Sequence, residues 1–203
     1  MYDIDVLIQL AEGQDMLAVR DRLEELDEHF VNAGLKFFFV QHPDSQFCRE
    51  ELLRGCADIV LIETLAAGAL GLPTVAGPTY KVPFYDIPIL HPTILILTKL
   101  KRWSTTHPST RPQTITKTRI DKNDITFMLT YLFSHSLHIE FTKYAGKSRE
   151  ELVRMVKGFY DKLVEGGEDG TVRTLKGVMY NEDWEMMVGL PVEAEESLVP
   201  PIN

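Results

Sequence analysis

Asp3-Ile4-Asp5-Val6-Leu7-Ile8-Gln9-Leu10 opens the chain with an apolar residue at every second position. Ile4, Val6 and Ile8 alternate with Asp5, the two-residue period of a β-strand, and residues 4–10 are read as one. Leu7 adds an apolar side chain to the opposite face, so burial on both faces is expected. Asp3 and Asp5 stand two positions apart, which puts them on the same face of that strand. Gly13 ends the pattern, and from Asp15 onward the period changes. Met16, Val19, Leu23 and Leu26 recur at helical spacing with charged residues between them, which predicts an amphipathic helix over 15–28 that Gly34 stops.

Further on, Leu35–Gln41 holds Phe37, Phe38, Phe39 and Val40 and reads as a buried strand. Ala57–Ile62, with Asp58-Ile59-Val60-Leu61, reads as another. Gly68, Gly71, Pro73, Gly77, Pro78 and Pro83 then leave little room for a helix, and a short strand at 82–85 or 87–90 returns to the sheet. Pro92 suits the first position of a helix carrying Ile96, Leu100 and Trp103 on one face. The Ser/Thr/Pro-rich residues 104–118 are expected to form a long loop. Asp121 is then the N-cap of a helix over 122–135, and Asp124 a first-turn acid. Ser148 and Glu151 have the spacing of a capping box and start a helix to about Val164. Gly166, Gly167 and Gly170 end it, a short helix lies around Glu182–Met187, and Val192–Asn203 is an acidic tail. Strand, helix, strands and then helices imply an α/β or α+β fold with a mixed sheet, divided into residues 1–140 and a helical extension at 141–203.

The 203 residues suit one sizeable domain or one domain plus an appended piece, and 44% hydrophobic content supplies a core. No apolar run reaches the length of a membrane span, and no secretory leader pattern is visible. Cys48 and Cys56 fit neither a redox pair nor a zinc knuckle, and reduced thiols are expected. The expected location is cytoplasmic. A net charge of −9 argues against nucleic acid as a partner. The charge is segregated, with seven basic residues and one acid between Lys99 and Lys122.

Asp3, Asp5 and Asp58 stand out by context. If their strands are neighbours, three carboxylates converge, and they stay ionised together only beside a cation. Mg²⁺ or Mn²⁺ suits an all-oxygen donor set, and such a site can clamp a triphosphate and activate a hydroxyl. The bland readings are a polar terminus for Asp3, a partnered strand carboxylate for Asp5 and a turn carboxylate for Asp58. Lys99, Lys101 and Arg102 could neutralise phosphates; singly, each reads as part of a solvated helix face. His135 and His138 lack a third metal ligand, and Trp103 and Phe37–Phe39 read as core.

An Asp-x-Asp on one strand with a third Asp on a later strand resembles the nucleotidyltransferase superfamily. Its order continues in Gly71-Leu72-Pro73, Ile87-Pro88-Ile89-Leu90-His91-Pro92, Lys99-Leu100-Lys101-Arg102-Trp103 and Asp121-Lys122-Asn123-Asp124-Ile125. That series is similar to nucleotidyltransferase-like proteins of filamentous fungi and, more distantly, to the bacterial toxin-type members, and it covers about residues 2–135. The resemblance implies a nucleotidyltransferase-type mixed sheet. It also implies Mg²⁺ (or Mn²⁺) on Asp3, Asp5 and Asp58, with Asp5 and Asp58 catalytic. Lys99, Lys101 and Arg102 would contact the NTP, whose nucleotidyl group passes to an acceptor hydroxyl. The family places a Gly-Ser turn about ten residues before the first Asp, whereas only Met1 and Tyr2 precede Asp3. The alternative expectation is therefore a catalytically degenerate scaffold serving as a binding or interaction module. Homodimerisation would cover a first strand left at an exposed sheet edge.

Overall fold

The computed structural model describes residues 3–41, 59–69, 72, 78–81 and 88–191. Asp58, Cys48, Cys56, residues 82–85 and the tail 192–203 lie outside them. The fold is α+β, with a four-stranded mixed sheet and, among the described residues, six α-helices. The chain forms two compact units, Met1–Ala76 and Gly77–Asn203.

The first unit holds β1 (Asp3–Ile8), α1 (Met16–Leu26), β2 (Phe30–Ala33), β3 (Lys36–Val40) and β4 (Ile59–Ala66). The sheet order is β1-β4-β3-β2, with β1 parallel to β4 and the other pairs antiparallel. The expected strands and the first helix are present, and β4 runs past Glu63 to Ala66. β2 is an addition, because Gly34 does not simply end a helical segment. Ala33 pairs with Lys36, so Gly34 and Leu35 are a two-residue hairpin loop, with Gly34 at φ +66°. A glycine at the first loop position is what a type II′ hairpin turn requires.

Asp15 caps α1 by accepting from the Ala18 N–H at 2.8 Å. No α1 residue is fully buried, Met16, Val19 and Leu23 are half-buried, and polar and cation–π contacts add to the hold on the sheet. Arg20 donates through Nε to Thr64 Oγ1 at 2.7 Å, and its guanidinium lies 5.9 Å from the Phe37 ring centre. Asn32 Nδ2 donates to Glu24 at 2.7 Å. The other face of the sheet has its own apolar cluster of Ala33, Phe38, Val40 and Ile59.

In the second unit, β5 (Thr79–Lys81) and β6 (Pro88–Leu90) form a separate antiparallel pair. The strand expected at 87–90 therefore exists but does not return to the main sheet. Then follow α2 (Pro92–Thr106), α3 (Pro112–Ser134), a 3₁₀ turn (Phe141–Lys143), α4 (Arg149–Glu165), α5 (Asp169–Gly177) and α6 (Asn181–Gly189). Ile94, Leu97 and Leu100 of α2, Ile125, Leu129 and Leu132 of α3, and Leu152, Val156 and Leu163 of α4 are completely buried in one core. Complete burial of such side chains is worth roughly 1.5–3 kcal/mol each, which makes this core the main support of the unit.

Two expectations fail here. Residues 104–118 are not a long loop, because α2 extends to Thr106 and α3 starts at Pro112. The hydroxyls in this stretch bond to their own helix. Ser104 Oγ donates to Lys101 O at 2.8 Å, Thr116 Oγ1 to Pro112 O at 3.1 Å and Thr118 Oγ1 to Thr114 O at 2.9 Å. Hydroxyls bonded back in this way do not compete for the helix's amide hydrogens. Asp121 is also not an N-cap; it lies within α3 and is fully buried. Pro112, at the first turn, opens the helix instead. The glycine-rich break after α4 is short, and α5, absent from the sequence reading, follows it at once.

Candidate functional site

Parallel pairing of β1 with β4 sets Asp3 beside Leu61 and Asp5 beside Glu63. Paired residues on neighbouring strands, about 4.8 Å apart, point to the same face. Asp5 and Glu63 are both exposed, so two carboxylates share one open patch of the sheet. Asp3 starts the same strand two positions before Asp5. Asp58 lies outside the described residues, and the acid that the register brings to Asp5 is Glu63. The donor set is all oxygen, which fits a hard divalent cation that keeps part of its water shell. Among the described residues, no group of three or more His, Cys, Asp or Glu side chains is gathered closely enough to hold a metal by itself.

The basic candidates lie on α2, and the structure joins two of them to α3. Arg102 Nε donates to Asp121 Oδ2 at 2.8 Å, and a second guanidinium N–H reaches Asp121 Oδ1. Lys99 Nζ is 2.8 Å from Asp124 Oδ2 and 3.9 Å from Asp121 Oδ1. The buried carboxylate thus has cations on two sides, which offsets the cost of removing it from water. Burial, and then the nearby charge of Lys147, hold the Lys101 ammonium below its usual pKa.

The sequence reading did not single out a cleft of about 420 Å³ in the second unit. Glu140, Arg149, Tyr180, Asn181, Glu182 and Asp183 are among its polar lining residues. Arg149 Nε donates to Asp183 at 2.5 Å, and Tyr180 Oη donates to Glu140 at 3.2 Å. The Tyr180 ring stacks on His138 with centres 4.6 Å apart. Desolvation, then the Glu140 carboxylate, push the Tyr180 phenol upward. The local signal was the Tyr180-Asn181-Glu182-Asp183 run at a helix start, but Arg149 is 34 residues from Asp183 in sequence.

Among the described residues, no helix is long and apolar enough to cross a membrane. Comparisons with protein-family models, curated proteins and solved structures found no match to this chain.

Proposed function

We propose that the chain is a nucleotidyltransferase-like protein that binds a nucleoside triphosphate through Mg²⁺ or Mn²⁺ on its first unit and transfers a nucleotidyl group to an acceptor hydroxyl. The carrying observation is the register of β1 and β4, which pairs exposed Asp5 with exposed Glu63. Asp3 and Asp5 supply the Asp-x-Asp, and Glu63, on the paired strand, adds an oxygen; Asp58, outside the described residues, is the other candidate from the sequence. When bound, the cation supplies charge neutralisation at the phosphates and lowers the pKa of the attacking hydroxyl. The protein's own part is to hold the carboxylates on a rigid strand, so that the triphosphate is oriented before reaction.

A second reading, a nucleotide-binding module without transfer, draws on a different observation. Lys99 and Arg102 are ion-paired with Asp124 and Asp121 and bind α2 to α3. Phosphate neutralisation by these side chains would compete with those pairs.

Calorimetric titration of the whole chain with each of the four common ribonucleoside triphosphates, with and without Mg²⁺, tests both readings. Mg²⁺-dependent binding lost in an Asp5→Asn, Glu63→Gln double variant is expected, and a separate Asp58→Asn variant ranks the two candidate third donors. Absence of binding, or undiminished binding in the double variant, sinks the cation-site reading. Binding without pyrophosphate release in the presence of hydroxyl acceptors selects the binding module.

A further inference from the structure

β1 is an outer strand of the four-stranded sheet, and among the described residues nothing pairs with its far side. Such an edge presents unpaired backbone donors and acceptors that another strand can satisfy. Two of its apolar side chains are open to solvent, Ile4 at 53% and Val6 at 37% exposure. Ile4, Val6 and Ile8 occupy one face, because they pair in register with Ile62, Thr64 and Ala66.

The order of these side chains suits a second copy of the same strand. Ile-x-Val-x-Ile reads the same in both directions about Val6. A two-fold axis at Val6 sets a second β1 antiparallel to the first, with Val6 facing Val6 and Ile4 facing Ile8. On the opposite face Asp5 then meets Leu7, so Asp5 of one copy does not directly oppose Asp5 of the other. Like charges directly opposite one another are destabilising in a strand pair, and this register avoids that for Asp5. A register displaced by one residue would put Ile4 or Val6 against the acidic face.

We propose that β1 is a self-association surface, pairing antiparallel with β1 of a second copy of this chain in a register centred on Val6. The contact is isologous, as two-fold symmetry requires. It joins the two four-stranded sheets into one. A six-residue edge is small beside the roughly 1,200–2,000 Å² of stable interfaces, so the dimer forms and dissociates with concentration. Each copy carries a charge of −9, and added salt screens that repulsion and strengthens the pairing.

Sedimentation of the 203-residue chain over a wide concentration range at physiological salt tests the association. The average mass should rise toward twice that of the monomer, and Val6→Lys should abolish the rise while circular dichroism stays unchanged. The register has its own test in single-cysteine additions under mild oxidation, with linked peptides mapped by mass spectrometry. Val6→Cys should cross-link to itself. Ile4→Cys alone should not, but mixed with Ile8→Cys it should give the heterologous link. A monomer at every concentration overturns the proposal, as does a dimer indifferent to Val6→Lys or an Ile4-to-Ile4 link without a Val6-to-Val6 link. None of these readouts depends on cation or nucleotide binding, so this proposal and the cation site stand or fall separately.

Discussion

Arg102 and Asp121 are joined by a 2.8 Å hydrogen bond, although the carboxylate is wholly buried and half of the guanidinium side chain is exposed. The two ends of this pair therefore have unequal alternatives. Replacing Arg102 by Met leaves a buried carboxylate with the Lys99 ammonium 3.9 Å away. Replacing Asp121 by Asn leaves a guanidinium that water already reaches. Breaking a buried ion pair costs about 3–5 kcal/mol when the residual charge stays buried. Arg102→Met should approach the lower end of that range, and Asp121→Asn should cost clearly less. Urea unfolding midpoints of the two variants read the order, and the reverse order would remove the argument from desolvation.

The capping box at the start of α4 is expected to show in the acid limb of stability. Ser148 Oγ accepts from the Glu151 N–H at 3.2 Å, and the Glu151 carboxylate accepts from the Ser148 N–H at 2.9 Å. The Ser148 backbone bond, then Lys147, hold Glu151 below the usual glutamate value of 4.5. Because the folded pKa is lowered, this contribution is present above the unfolded value and is lost as pH falls through the folded one. Ser148→Ala should cost about 1 kcal/mol at neutral pH. Glu151→Gln should weaken the protein near neutrality but not at pH values where the wild-type carboxyl is already protonated. Thermal melts of the two variants from neutral to acid pH decide it.

At the alkaline end the governing group is Tyr144. The residue is 2% exposed, and burial pushes its phenol up to about 12 from an ordinary 10. Between those values the folded protein keeps a proton that the unfolded chain releases, so stability falls as pH rises from 10 toward 12. A phenolate absorbance titration should show Tyr144 ionising last, after the other raised phenols such as Tyr180, together with loss of structure. Tyr144→Phe should remove that late step; if the step persists, another tyrosine is responsible.

The hairpin loop offers a test of backbone geometry free of packing effects. Gly34 has φ +66°, and a Cβ built there meets nothing within 4 Å. Gly34→Ala should therefore cost only the left-handed penalty, about 1–2 kcal/mol. Gly34→Asn should cost less, since asparagine tolerates that region. Equal losses in the two variants would point to a cause other than backbone conformation.

What could be read from sequence was the local part of the structure. β1, β3, α1 and the Ser148 cap announce themselves through period, composition or spacing within a few residues. β2 is only four residues long and includes Asn32, so the hairpin was visible only as the glycine between its strands. The run from Ser104 to Thr118 resembles a loop in composition, but its hydroxyls are satisfied within the helices by carbonyls three or four residues back, which composition does not show. Asp121 has a capping residue's identity and a core residue's position, and its partner Arg102 is 19 residues away. The candidate cation site followed the same pattern. Asp5 was visible as a strand carboxylate, but its neighbour Glu63 is selected by a parallel register that no nearby residue encodes.

That register also governs the order of assembly. Asp3 meets Leu61 only after nearly sixty residues have been brought round, and the length-dependent share of closing such a loop is about 3.6 kcal/mol. The β2–β3 hairpin needs no comparable search, since Ala33 meets Lys36 across two residues. During synthesis β1 emerges before β2, β3 and β4, and its pairing with β4 closes the longest loop in the sheet. Its apolar residues have no β4 to pair with until then, which makes β1 a strand that benefits from protection while the protein is being made.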